Sequence, residues 1–361
     1  MYKINICKKL AVASLVLCAL LSAASAKPKS KNKEASGKKI PEWTTKPGKY
    51  YPTAQYLTGV GSAMSRSDAE LQAVTELSSI FGQSVQGTTV ASSRMAQFIA
   101  SDGSATNTSD AEISQSTKNK IAHDNLIGIE IKESFHDEKH NTWYVLAIMD
   151  KAKVTANYQS MINRNQKHIE LLRSQVATSS DKYTLDNFVR LDFARELALT
   201  NEQNVNRLLI INPSAGQAMQ NGMTAAAVMQ KEARELAQKI PICIVVENDS
   251  DNRISKAFAE VMSQAGFNTT TGSNERYKIT CDVTYYDDQS TDGKTKFANY
   301  TVTGGLQDTS IGEELVPLSF TGREGSPTIE NARQRAKSTI VNKIKQNFKQ
   351  AFNRYLQTTS I

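Results

Sequence analysis

An α+β fold is predicted for this chain of 361 residues: two small open sheets, each covered by helices and joined by a helical middle segment. Three observations predict it. Residues 55–149 alternate like strands around one well-capped helix, whereas residues 152–238 carry apolar side chains three and four apart and show no strand pattern. Residues 240–352 return to strands and close with a long amphipathic helix. Sheet and helix that segregate in this way give α+β rather than the strict alternation of a parallel sheet.

The first 26 residues read as a cleavable leader, because Lys3, Lys8 and Lys9 precede an apolar run over residues 10–21 that ends in Ala24-Ser25-Ala26. The run is shorter than the ~20 residues that cross a bilayer as a helix. Small residues three and one before the cut suit a signal peptidase, so cleavage is expected between Ala26 and Lys27 and the chain is expected to be exported. Cys18 sits inside the leader, but Leu17 precedes it where a lipid-transfer site takes Gly, Ala or Ser. Lipidation at Cys18 is therefore not expected, and the destination is the periplasm or the outer membrane.

The formal net charge is +7, and the basicity is concentrated near the start. Residues 27–49 hold eight lysines against Glu34 and Glu42, so the remaining body is slightly acidic. Residues 27–40 are expected to form a disordered basic tail that anionic lipid or polysaccharide attracts, or that serves only as a solvated spacer. Nucleic acid is not an expected partner outside the cytoplasm. Cys243 and Cys281 are the cysteines beyond the leader; they fall in predicted strands and either pair as a disulfide or stay buried as separate thiols.

The first folded unit is expected over residues 41–151. It opens at Pro41-Glu42-Trp43, followed by a strand over 55–60 interrupted by Gly59 and Gly61. Ser67 with Glu70 fits a capping box, and Ala69, Ala73, Leu77, Ile80 and Phe81 recur at helical spacing behind it. A strand over 85–98 and a Ser/Thr/Asn/Asp loop over 101–119 follow. Ile127, Ile129 and Ile131 mark one face of the next strand, residues 136–141 its hairpin loop, and residues 143–149 a partner that is apolar on both faces.

Residues 152–239 are expected to be a helical connector: one long helix, a second ending at Asn212-Pro213, and another over 224–238. The last unit, 240–361, reads β-α-β-β-β-α. It comprises a buried strand over 242–246, a helix over 252–265 closed by Gly266, three strands, and a helix begun by Ser326-Pro327.

Candidate chemistry is thin. His136 and His140 have the spacing of a zinc pair, but that spacing needs a helix and these residues lie between strands. Asp288, Ser290, Asp292 and Gly293 imitate the start of a calcium loop, yet Lys294, Lys296 and Asn299 occupy later positions and a hairpin turn is the simpler reading. Asp249 and Asp251 stand where a helix start favours acids. Gly59-Val60-Gly61 lacks the third glycine of a dinucleotide fingerprint, and no nucleophile elbow occurs. No catalytic residue, metal or cofactor is expected.

The run Pro41-Glu42-Trp43, followed by Tyr56-Leu57-Thr58-Gly59-Val60-Gly61-Ser62-Ala63 and an alanine-rich helix carrying Ala69 and Ala73, resembles the Lpp-twenty-like lipoproteins. Trp43, Gly59, Gly61, Ser62 and Ala63 carry that resemblance. It implies a bacterial exported protein of the kind often anchored in the outer membrane, with some relatives in flagellar or surface assembly and none known as enzymes. The implied role is a non-catalytic structural or assembly component that contacts other envelope proteins, with exposed sheet edges and the middle helices as the expected contact surfaces; the alternative is a module that binds cell-wall glycan or a lipid surface. Leu17-Cys18 departs from the lipidated members. The C-terminal unit is similar to the small α+β modules of periplasmic assembly proteins such as flagellar assembly protein T.

Overall fold

The computed structural model describes residues 39–82, 126–272 and 274–359, and over them the fold is α+β. The expected leader with Ala26 and Lys27, most of the expected basic tail, the strand expected at 85–98 and the loop expected at 101–119 lie outside the described residues.

Strands β1 (Tyr56–Ala63), β2 (Ile129–Asp137) and β3 (Thr142–Asp150) form an antiparallel sheet in the order β1-β3-β2. The central strand β3 is buried from Val145 to Met149 because both of its faces are covered, as its unbroken apolar run requires. Helix α1 (Arg66–Ser79) lies on one face, and Trp43 closes the other over Phe135, Leu146 and Ile148. The helix is capped by Ser65, not Ser67. The Ser65 hydroxyl accepts from Asp68 N at 3.1 Å and donates to the Asp68 carboxylate at 2.7 Å, while Glu70 turns to Arg66 at 2.9 Å. Because β1 runs on to Ala63, the chain has room for only one turn before the helix. Phe81 is buried as expected, but Ile80 is 43% exposed, since the helix ends at Ser79 and its periodicity ends there too. The hairpin between β2 and β3 is also tighter than expected, with β2 running on through Asp137 and Asn141 taking a left-handed conformation at φ 47°.

Asp150 caps α2 (Lys151–Thr178), accepting from Ala152 N and Lys153 N at 2.9 and 3.0 Å. Helix α3 (Leu185–Ile211) packs along it, and each of the two runs roughly 40 Å at 1.5 Å per residue. Asn212 ends α3 and also caps α4 (Pro213–Gly222), a helix the sequence pattern did not predict. α5 (Ala226–Ala237) follows.

The second sheet has the order β5-β4-β6-β7-β8, built from β4 (Pro241–Val246), β5 (Asn268–Thr270), β6 (Tyr277–Gln289), β7 (Lys296–Asp308) and β8 (Glu313–Ser326). β4 runs parallel to β5 and β6, and the other pairs are antiparallel. The short β5 is an addition to the predicted β-α-β-β-β-α order. Between β4 and β5 lies α6 (Arg253–Gln264), which ends at Gly266 with φ 97°. Helix α7 (Ile329–Lys343) is capped by Thr328 rather than started at Ser326-Pro327, and continues through a π turn at Ile344–Phe348 into α8 (Lys349–Thr358).

The middle helices contribute to both cores. Val154, Tyr158 and Ile162 of α2 and Val205, Leu208 and Ile211 of α3 belong to the core beneath the first sheet. Ile169, Leu172 and Val176 of α2, with the first half of α3 and much of α5, belong to one continuous core with the second sheet. Where one core gives way to the other, Asn165 donates to Asn201 at 2.8 Å and Asn201 donates to Ile162 O at 3.2 Å, both side chains buried. Arg276 ties the helices to the second sheet, bonding Asp181 at 2.6 Å and Asp308 at 2.7–3.0 Å, and Tyr277 OH accepts from Leu185 N at 3.0 Å.

Candidate functional site

The motif residues of the first sheet assemble into a packing joint. A Cβ at Gly59 would stand 2.3 Å from Ala73 O, and one at Gly61 would stand 2.0 Å from Ala69 O. Only glycine permits the backbone of α1 to lie directly on β1, with Ala69 and Ala73 completely buried between them. From this close position α1 also closes the free edge of β1. Glu76 accepts from Val60 N, and Gln72 accepts from Ser62 N at 3.1 Å, so these edge amides are not open to another strand. Ala63 joins the margin of the core beneath, while Ser62 is exposed.

On the opposite face Trp43 is buried, and Tyr51 packs edge-on to Tyr56 at 5.6 Å and donates to Glu133 at 3.1 Å. Burial and the neighbouring Glu133 charge push the Tyr51 hydroxyl up to about 12. The Gly-x-Gly motif is thus a steric requirement of helix-on-strand contact. It offers no cradle for phosphate.

The remaining sequence candidates have ordinary partners. His140 bonds Asp137 at 2.6 Å, which holds that carboxyl below its usual range, and His136 stacks on Trp143 at 4.6 Å. The two imidazoles are therefore engaged separately. Asp288 pairs with Arg323 at 3.0 Å, while Asp292 accepts from the Ser290 hydroxyl at 2.6 Å and Lys294 N at 3.1 Å in a hairpin turn with Gly293 at φ 68°. Asp249 accepts from Ile254 N, Ser255 N and the Ser255 hydroxyl at 2.8–3.2 Å, fixing the start of α6. Asp251 pairs with Lys337 at 3.0 Å. Among the described residues no three His, Cys, Asp or Glu side chains converge to hold a metal.

Cys243 and Cys281 are buried free thiols. Register explains why they do not pair: Cys243 aligns with Lys278 and Cys281 with Val246, a stagger of three residues, or about 10 Å along the strands. That odd stagger also puts the two side chains on opposite faces of the sheet, beyond the reach of an S–S bond. Burial pushes Cys281 up to about 12 and raises Cys243 too.

Two features escaped sequence reasoning. One is the fully buried Arg207, which bonds Asn204 at 3.0 Å and lies against Tyr158; burial raises the Tyr158 hydroxyl and the Arg207 charge offsets part of that rise. The other is a half-open cleft of about 450 Å³ where α2, α5 and the start of α3 meet. Its residues lie far apart in sequence, and Lys182-Tyr183 in the interhelical loop was its one local sign.

Residues 41–150 match the LPP20 lipoprotein family. The LPP20 match begins at the Trp43 segment, ends on β3, and contains Gly59, Gly61, Ser62 and Ala63, so it covers the first sheet with its helix and bears out the resemblance read from those residues. No curated protein matches the chain. Among solved structures, the secreted protein HP1454 from Helicobacter pylori is 15% identical with a TM-score of 0.39, covering 84% of this chain and 99% of its own. The minor lipoprotein from Acinetobacter baumannii is 15% identical with a TM-score of 0.25, covering 32% of this chain and 94% of its own. Rare lipoprotein B from Shewanella oneidensis is 13% identical with a TM-score of 0.21, covering 33% and 92%. Likeness at this level carries no functional argument.

Proposed function

We propose that the protein is an exported, non-catalytic component of the bacterial cell envelope that works through contacts with other envelope proteins. The LPP20 lipoprotein match over residues 41–150 carries this reading. The leader over residues 1–26 agrees with it. So does the build of the molecule: two long helices contribute to both cores and leave their outer faces as surfaces for contact. The motif residues Gly59, Gly61 and Trp43 support a scaffold and perform no bond chemistry. Of the sheet edges, β1 is closed by Glu76 and Gln72. The outer strand β8 carries Pro317, and its Thr321 and Gly325 carbonyls accept from Lys343 and Arg335. Partners therefore meet side-chain surfaces rather than adding strands at these positions.

The test is fractionation of a bacterial host followed by crosslinking in intact cells and capture of a C-terminally tagged chain. A processed protein starting at Lys27, found with the envelope and crosslinked to a discrete partner, is expected. Full-length protein in the cytosol, or a protein whose crosslinking pattern is that of an inert control, overturns the reading.

A further inference from the structure

We propose that the cleft between α2, α3 and α5 binds a single-chain amphiphile: an acyl chain held on the floor and an anionic head group held at the rim. The floor is made by Val176, Leu191 and Leu236, each buried and apolar, and the volume of about 450 Å³ falls within the range of small-molecule sites. The rim is charged, but its charges are not balanced. Arg173 and Glu232 neutralise each other through two bonds at 2.6 and 3.0 Å, while Glu235 leans out toward Lys231 at 3.9 Å and still counts against Lys182 and Lys239, so the rim is one charge positive. Lys182 and Lys239 have no ion pair among the described residues, and Lys239 sits 5.5 Å over the ring of Tyr183, which is 46% exposed.

Two ammonium groups beside an apolar hollow complement a ligand with one negative end and one hydrocarbon end. The C-termini of α2 and α5 also border the cleft and oppose an anion. Each contributes only about half a unit of negative charge, and the N-terminus of α3 offsets one of them, so the rim keeps a net positive charge at Lys182 and Lys239. The floor would gain about 0.8 kcal/mol per buried methylene, which is about fourfold in affinity.

The experiment is calorimetric titration of the purified protein with octanoate, decanoate and dodecanoate, below their micelle concentrations, and with decanol as the uncharged control. Saturable binding that tightens about fourfold per methylene until the floor is full, with decanol at least tenfold weaker than decanoate, is expected. Ala177→Trp, at an exposed position of the cleft wall, should abolish binding. Lys182→Ala with Lys239→Ala should weaken it about tenfold and remove its salt dependence. All these residues are exposed, and unchanged circular dichroism and Tm confirm that the variants fold. Absence of binding by all three acids overturns the proposal, as does binding that Ala177→Trp leaves intact. Equal affinity for decanol and decanoate removes the head-group site and overturns it equally.

Discussion

The two sheets solve the same packing problem in opposite ways. In the first, α1 comes down onto bare backbone: Gly59 and Gly61 on the strand meet Ala69 and Ala73 on the helix, and the contact is too close for any side chain. In the second, the helices that cover the sheet are locked to one another, and to the loop before β5, by interlocking rings. Phe258 meets Phe348 at 5.0 Å, Phe267 meets Phe188 at 4.7 Å and Phe352 at 5.8 Å, all edge to face. The glycine joint tolerates one arrangement of small residues at fixed positions, so it is written as a short motif. An aromatic core can be repacked with other large residues, provided volume is kept, so it leaves no fixed signature. The family match accordingly falls on the first sheet.

This contrast can be broken by mutation. Truncating the second core should have the greatest effect: Phe258→Ala is expected to cost about 4 kcal/mol, measured by denaturant unfolding. The first joint fails by excess rather than deficit. Gly61→Ala adds one methyl against a carbonyl and should cost about 3 kcal/mol, the opposite of the usual gain from removing glycine. If Gly61→Ala is neutral, the close approach of α1 is wrong.

Arg276→Ala should cost about 2 kcal/mol at neutral pH by leaving Asp308 buried without its partner. Burial pushes the Asp308 carboxyl up, but its bonds to Arg276 and Ser310 prevail and hold it below the usual value. A lowered folded-state pKa gives stability that is present above about pH 4 and lost as pH falls through the folded value. Unfolding curves from pH 7 to 2 should show this loss in the parent and a smaller one in Arg276→Ala.

The Asn165–Asn201 pair between the cores gives a subtler test. Asn201→Leu strands the Asn165 amide and should cost about 1–3 kcal/mol, whereas the double change Asn165→Leu with Asn201→Leu should recover most of it. A double-mutant cycle with no coupling would show that the pair does not act as a unit. The smallest effect is chemical. Cys243 and Cys281 should resist thiol reagents at pH 8 until the protein unfolds, because burial keeps both thiols protonated.

Much of this architecture was legible where pattern and chemistry agree. The both-faces-apolar β3, the alternating β6 and the glycine after α6 all follow from local rules. Errors collect where two elements share residues. Asn212 ends one helix and starts the next, so Asn212-Pro213 read as a terminus and concealed α4. Ser65 and Ser67 are equally good caps by type; the length of β1 chooses between them. The joining of the middle helices to both cores was invisible, because periodicity says which residues are buried but not against what. The cleft was hidden for the same reason, since its lining is gathered from four separate stretches.

The Glu76 and Gln72 contacts with β1 have a consequence for colloidal behaviour. A strand whose outward amides are already engaged cannot seed the backbone ladder by which identical chains stack into fibres. Removing those two side chains would expose a template at the very place where the helix presses hardest, and turbidity of concentrated solutions would register the change.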